Sequence, residues 1–480
     1  MGSLNLVKDL AGIVGAAAVT NEAGQLSRYA RDFSLQPPKQ PGCIVCPRDT
    51  EQVQEIMRYA DQQLVAVTPR SSGVGFYGAG IPAEGGILLD LSRMNRILEV
   101  DRNNKRAKLQ PGVTWVQVQR ELGKQGLFVS NPLLPHRAKS VLTSSLEREP
   151  LLSTKSEYSE TFITSEMVLA NGDLFWTGTG ISKGMVGQSF PDCLVPGTRL
   201  FMGAQGTLGI QTWANIKIEY LPIKNKIVLI PFKDIDDMVA PMYRLQRLLI
   251  GNECFVLNRL DMASILEEEW PDDFKELRQS LPPWLLVICL TGMKRLPEEK
   301  IAAEEEALME IAREFHLEPA PAVAAISGLQ DKILAWLRLP WPGETYWKFR
   351  YRGGRQDVFF HTTLDRVPEF LKAVEEEAAK HNYSADDIGI YLQPIERAHA
   401  CFCQFGFHYN PGDSDEVGRL RELFLAASER VMDMGGLFTT PYGPWADMVC
   451  SRADTYKSVM KVIKDAVDPN HILNPGRLCL

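Results

Sequence analysis

Over the first 220 positions, apolar residues fall in short runs broken by glycine, proline and charge. "GCIVCPRD" (42–49) predicts a short buried strand stopped by Pro47. The stretch 49–63 has a helical period, with Asp49 or Thr50 as N-cap and Glu51 near the first turn. "LVAVTPR" (64–70) predicts the next strand, so 42–70 reads as a strand–helix–strand unit of parallel type. Short strands follow at 85–94, 96–101 and 106–112, then a helix over 114–126 ended by Gly126. "ITSEMVLANGDLFWTG" (163–178) predicts a hairpin turning at Asn171-Gly172. The apolar run Leu10 to Val19 follows Asp9, with Lys8 the nearest positive charge, and predicts a helix rather than a cleaved signal.

The texture changes near 222. Strands are predicted at 225–232, 284–292, 358–362, 388–394 and 399–408. Helices are predicted over 234–250, 297–314 and 367–381, then 415–434 and 452–466. The Glu run inside 297–314 reads as a solvated helix face.

Length and composition narrow the class. A chain of 480 residues suggests about three domains by a soft prior. With 45% hydrophobic and 23% charged residues it is a folded chain, not a disordered or collagen-like one. The balance of 52 basic and 60 acidic residues, a net charge of −8, argues against a nucleic-acid surface as its main business. No uncharged apolar run approaches the roughly 18 residues of a membrane span, and a cytoplasmic location is expected. The nine cysteines do not form a disulfide framework at this length. Cys43 with Cys46, and Cys401 with Cys403, are too few and too distant for a metal site; they read as small apolar strand residues. No metal is expected.

The strongest local signal is "TPRSSGVGFYGAGIP" (68–82), a strand followed by Gly73, Gly75, Gly78 and Gly80. Glycine permits positive φ and lets successive backbone N–H groups approach an anion. The loop therefore suits a cofactor pyrophosphate, or is simply a glycine-rich surface loop. It does not match G-x-x-x-x-G-K-[ST], which disfavours a nucleotide P-loop.

Further segments follow in order: 109–122, 167–178, "GAQGTLGI" (203–210) and "DPNHILNPGR" (468–477). In this order the chain resembles the FAD-linked oxidoreductases of the vanillyl-alcohol oxidase/p-cresol methylhydroxylase family, over about 40–222 and 435–480. The resemblance implies an α+β fold: a two-subdomain FAD-binding domain with an inserted α+β cap. It would divide the chain into 1–222 and 431–480 for the flavin and 223–430 for the cap. It implies FAD held by Pro69, Arg70, Ser71, Ser72, Gly73, Val74, Gly75, Tyr77 and Gly78 of the loop. Pro111, Ser140, Thr143, Ser144, Gly206, Gly209, Ile210, Asn474 and Arg477 would complete the site. The segment 136–145, "HRAKSVLTSS", carries side chains where the family is glycine-rich. Non-covalent FAD is expected, because Arg70, Ser71 and Ser72 stand where one subgroup carries an attachment histidine.

The family's catalytic aspartate falls on Glu157, a second carboxylate able to take a proton; otherwise Glu157 is a surface residue of "KSEYSE". Tyr77 falls on a tyrosine that helps bind phenolate, or packs as a loop aromatic. His361 stands where the resemblance would put a cap-borne flavin attachment residue, or is a structural or substrate-site residue at a strand end; His361 and His408 are also the cap's candidates for proton chemistry, with His399 alternating beside His408, which also reads as a half-buried strand polar residue. The family's Tyr-Arg phenolate clamp falls on Thr439 and Thr440, which cannot replace an arginine, though Tyr442 lies near. Arg350, Arg352 and Arg355 offer alternative cations for a carboxylate, or line a strand edge.

The resulting expectation is an FAD-dependent oxidoreductase moving a hydride from a small organic substrate, an aryl or benzylic alcohol or a related alcohol, to flavin N5. A 2-hydroxy acid is the second substrate class, although the G-D-G-N-x-H run of some such branches is absent. A non-catalytic or electron-transfer subunit with a degenerate flavin domain is the rival of another class. Expected partners are a redox protein (cytochrome, electron-transfer flavoprotein or iron–sulfur subunit) and further copies in a homo- or hetero-oligomer.

Overall fold

A computed structural model describes residues 6–154, 162–181, 197–266, 273–320, 326 and 328–480. Among them, four sheets carry the fold. In the first, Cys43–Val45 and Val67–Arg70 both pair in parallel with Ile87–Asp90, which lies between them; Val19–Thr20 adds an antiparallel edge. The predicted crossover helix is Thr50–Gln63, capped by the Asp49 carboxylate accepting from Gln52 N. It buries Val53, Ile56, Met57 and Ala60, one face at helical spacing.

The second sheet is antiparallel, ordered Ile97–Asp101, Arg106–Leu109, Ile210–Lys217, Phe162–Val168, Leu174–Trp176. The Asn171-Gly172 turn closes its hairpin as predicted, with Gly172 at φ +82. A two-stranded ribbon joins Leu127–Phe128 to Glu219–Tyr220.

Six antiparallel strands form the largest sheet: Lys224–Phe232, Trp284–Gly292, Glu253–Asn258, Ile388–Ile395, Ala400–Tyr409 and Gly354–Thr362. Five of these follow the predicted runs. Glu253–Asn258 was missing from the sequence reading, because its apolar residues run straight into the helix Arg259–Leu266 without a breaker. On Gly354–Thr362 the faces alternate. Phe360 packs on Phe370 and Phe405 toward the helices, while Arg355, Asp357 and Phe359 point to the opposite face.

The C-terminal segment ties the sheets together. Val67 N donates to Ile472 O and Asn474 N to Val67 O, so 472–474 runs beside the strand that precedes the glycine loop. Buried Lys464 donates to Thr207 O, Leu473 O and Asp468. Leu437 exchanges backbone hydrogen bonds with His361 at the edge of the largest sheet. Cys450 and Cys479 form a disulfide, a pairing the sequence reading did not anticipate, while Cys43, Cys46, Cys401 and Cys403 are free. The chain end folds back onto the helix Pro444–Cys450, a proximity no spacing announces. Cys43 with Cys46 and Cys401 with Cys403 sit on different sheets. Among the described residues no cluster of three metal-ligating side chains occurs, and no helix is long and apolar enough to cross a membrane.

Candidate active site

The glycine loop walls a cavity. Of the residues chosen from sequence, Pro69, Arg70, Ser71, Gly73, Val74, Gly75, Pro111, Thr143, Gly206, Gly209 and Ile210 line it. The others stand behind the wall. Ser72 Oγ accepts from Ser140 N, and Ser140 Oγ caps the helix Val141–Leu146 while donating to Pro111 O. Ser144 Oγ accepts from Trp115 Nε1. Asn474 Nδ2 donates to Ala79 O at 3.0 Å and Gln205 O at 2.7 Å, pinning two loops together. Arg477 donates to Ile81 O.

Two glycines are required where they stand. Gly206 sits at φ +74, and a Cβ there would lie 2.4 Å from Pro69 Cγ. Gly78, at φ +83, would meet Gln36 Cγ at 2.5 Å, and its N–H donates to Asp32 Oδ2. Asp32 also accepts from Ser34 and lines the cavity. It escaped the sequence reading because only the folded chain brings residue 32 under the loop.

Among the described residues, none of the backbone N–H groups of 71–75 donates to a protein acceptor. Consecutive unpaired N–H groups along a cavity wall are what a pyrophosphate needs. The segment 136–145 does not obstruct this cavity. Of its residues only Leu142 and Thr143 reach the wall, and Thr143 Oγ1 bonds the Ser71 hydroxyl.

A second, smaller cavity adjoins the first, and Glu147 lines both. Its wall is aromatic: Phe76, Tyr77, Tyr346, Trp347, Phe359, Tyr391 and Phe402. Tyr77 therefore lies in this second chamber, stacked on Tyr442 with centroids 4.8 Å apart and planes at 22°. Burial raises the Tyr77 hydroxyl well above its ordinary pKa, so it is a neutral donor.

Charged groups complete the second chamber. Lys139 is 1% exposed and bridges Glu147 and Glu149. Burial alone would lower the Lys139 ammonium, but the two carboxylates outweigh it and hold it charged. Burial pushes the Glu147 carboxyl up to about 7 against the pull of Lys139, with Glu149 adding to the rise. Arg148 also lines this chamber; its backbone is left-handed at φ +54, and its buried Nε has no hydrogen-bond partner.

Beneath the chamber lies an ion network. Lys348 donates to Asp357 at 2.7 Å, and Arg355 bonds Asp357 at 2.6 Å and Asp261 at 2.5 Å. The Gln404 amide oxygen, oriented to satisfy both, accepts from Arg355 and Lys348. Burial alone would raise the Asp357 carboxyl, but Arg355 and Lys348 bring it down to about 2. The cap arginines are thus engaged within the protein: Arg355 here, Arg350 on Ser264 O, and Arg352 on Glu416 and Asp387.

The candidate histidines His361, His399 and His408 line neither cavity. His408 is wholly buried beside Asp261 and Tyr351, both ring nitrogens lack hydrogen-bond partners, and burial holds its pKa well below the usual value. It lies outside the chamber wall because Arg355, its cross-strand partner, occupies the intervening space. His399 is exposed at a hairpin turn. His361 lies one step past the chamber residue Phe359 on the same strand face; burial lowers it to about 4, with Arg148 adding to the effect. Glu157 lies outside the described residues.

Known proteins share the family and the fold. The family profile "FAD binding domain" matches residues 41–178, and "FAD linked oxidases, C-terminal domain" matches 224–478, more than half of the chain. The chain is 25% identical to the glycolate oxidase subunit GlcD of Bacillus subtilis, covering 95% of this chain and 93% of that protein. It is 23% identical to a D-2-hydroxyglutarate dehydrogenase of Stutzerimonas stutzeri, covering 98% of each. Among solved structures, p-cresol methylhydroxylase with substrate bound superposes with a TM-score of 0.84 at 18% identity, over 99% of this chain and 96% of that one. The 4-ethylphenol oxidase of Gulosibacter chungangensis gives 0.83 at 19% identity, over 98% and 96%. The α+β architecture is therefore that of the p-cresol methylhydroxylase type. The chain belongs to the FAD-linked oxidases and is an FAD-dependent oxidoreductase.

Proposed function

We propose that this enzyme oxidises a small alcohol-bearing substrate held in the aromatic chamber, with FAD bound non-covalently along the glycine-loop cavity. Residues 70–75 would hold the pyrophosphate through their N–H groups, and Gly206, Gly209 and Ile210 would line the cofactor opposite. When bound, FAD supplies a two-electron acceptor. The observation that carries the reading is the shared wall: Glu147 belongs to both cavities, so the two compartments meet at one residue. In this reading 1–222 with 431–480 houses the flavin, and 223–430 forms the cap.

The aromatic wall favours an aryl or benzylic alcohol, gripped by ring stacking, with Tyr77 donating to the substrate oxygen. A 2-hydroxy acid is the second reading. The names of the two relatives support it, as does Arg148, whose unpaired Nε could receive a carboxylate. The visible spectrum of the purified protein should show oxidised flavin, released on acid precipitation. Anaerobic bleaching with aryl alcohols, alkylphenols and hydroxy acids then selects the class. A colourless protein would end the catalytic reading. Replacing Arg148 with Met should raise KM at least about tenfold for an anionic substrate, a loss near 1.4 kcal/mol, and leave a neutral alcohol's KM within about twofold.

A further inference from the structure

Any alcohol oxidation must dispose of a proton, and one residue bridges the two compartments. Glu147 follows the helix Val141–Leu146 as its C-cap and lines both cavities. Its carboxylate shares Lys139 with Glu149, so one buried cation faces two buried acids. That arrangement leaves one negative charge in excess, and the site relieves it by keeping a proton on one carboxyl. The other charged or titratable groups of this chamber are Arg148, His136, Lys348 and the tyrosines Tyr77, Tyr346 and Tyr391, with Tyr442, Arg70 and Asp32 on the glycine-loop side. The tyrosines stay neutral through burial, and Lys348 is committed to Asp357.

We propose that Glu147 is the catalytic proton acceptor of the oxidation, and that Lys139 and Glu149 are positioning residues that set its readiness. The inference rests on the reading of an alcohol substrate given above, and holds for both substrate classes. The substrate C–H bond breaks, hydrogen and electron pair passing to the flavin. The O–H bond breaks, its proton passing to the Glu147 carboxylate, and C–O becomes C=O. The substrate loses two electrons and the flavin gains two. Above the Glu147 pKa, the site starts each turnover with a carboxylate beside the substrate hydroxyl, and Lys139 keeps it oriented.

The test uses the holoenzyme in three variants. The wild type must first be bleached by a member of the substrate panel; if none bleaches it, the alcohol reading has failed and not this assignment. Glu147→Gln should then slow anaerobic bleaching about 100-fold, the usual worth of a general base, and abolish the rise in rate near pH 7. Glu149→Gln removes the neighbouring charge and should move that rise to lower pH. Oxidised flavin titrated without substrate should show an absorbance inflection near pH 7 that Glu147→Gln eliminates. This readout does not depend on turnover, and so tests the assignment even if every candidate substrate fails. If Glu147→Gln does not retain FAD, the Glu149→Gln profile decides: a displaced rise supports the assignment and an unmoved one overturns it. Loss of the rise in Glu157→Gln, with its retention in Glu147→Gln, would also overturn it.

Discussion

The two cavities are built by opposite strategies. The glycine-loop cavity is largely backbone: glycines at 73, 75, 206 and 209, a proline at 69, and N–H groups of 71–75 without a protein acceptor among the described residues. The adjoining chamber is largely side chain: aromatic rings, Lys139 and Lys348 with their carboxylates, and Arg148. A backbone site is made by local sequence, because glycine and proline set φ and ψ where they stand. A side-chain site is made by convergence, and its members come from 76–77, 132–150, 346–348, 359, 391 and 402–404. The first tolerates few substitutions at the ligand; the second depends on buried charge being neutralised.

The largest effect should come from the network beneath the chamber. Asp357→Asn leaves Arg355 and Lys348 short of a partner, and should cost about 3–5 kcal/mol in urea unfolding. A loss under about 1 kcal/mol would show that the chamber does not rest on its ion pairs. The same carboxyl predicts acid sensitivity. Its folded pKa of about 2 lies below the ordinary 3.8, so the folded state binds this proton more weakly than the unfolded chain. That stability is present above pH 4 and lost as pH falls through 2. It amounts to about 2 kcal/mol, and a pH series of unfolding midpoints for wild type and Asp357→Asn measures it.

A smaller effect, confined to cofactor content, tests the backbone cavity. Gly206→Ala forces a Cβ against Pro69 at a φ that alanine resists. FAD affinity should fall about tenfold or more, roughly 1.4 kcal/mol, read from the ratio of flavin to protein absorbance. Equal occupancy would mean that this close approach does not shape the cofactor wall. The smallest effect is Tyr77→Phe, which keeps the stack on Tyr442 and should change stability by less than about 1 kcal/mol. Comparing its kcat with that of Tyr77→Leu separates the hydroxyl from the ring.

The strands and helices with clear periods were legible. The helix Pro297–Glu314 and the hairpin around Asn171-Gly172 lie where their patterns put them, since caps and turn residues act locally. The glycine loop was legible for the same reason. The chamber was not. Lys139 sits in a segment that reads as a departure from a glycine-rich pattern, yet its ammonium is buried between Glu147 and Glu149. His408 looked like a candidate because strand alternation places it on the chamber side, but alternation does not reveal that Arg355 stands between.

The residue order alone determined the glycine-rich loop after Val67–Arg70 and the approximate run of most strands of the largest sheet, for which short-range sterics and periodicity suffice; the FAD-type fold was implied by the family resemblance carried by several motifs in order. Only the tertiary structure decided that Glu147 borders both cavities, that the cap arginines are spent on internal partners and that Cys450 meets Cys479. These facts depend on which distant side chains share a low-dielectric space, where charge must be paired and volume filled. No local pattern encodes that sharing.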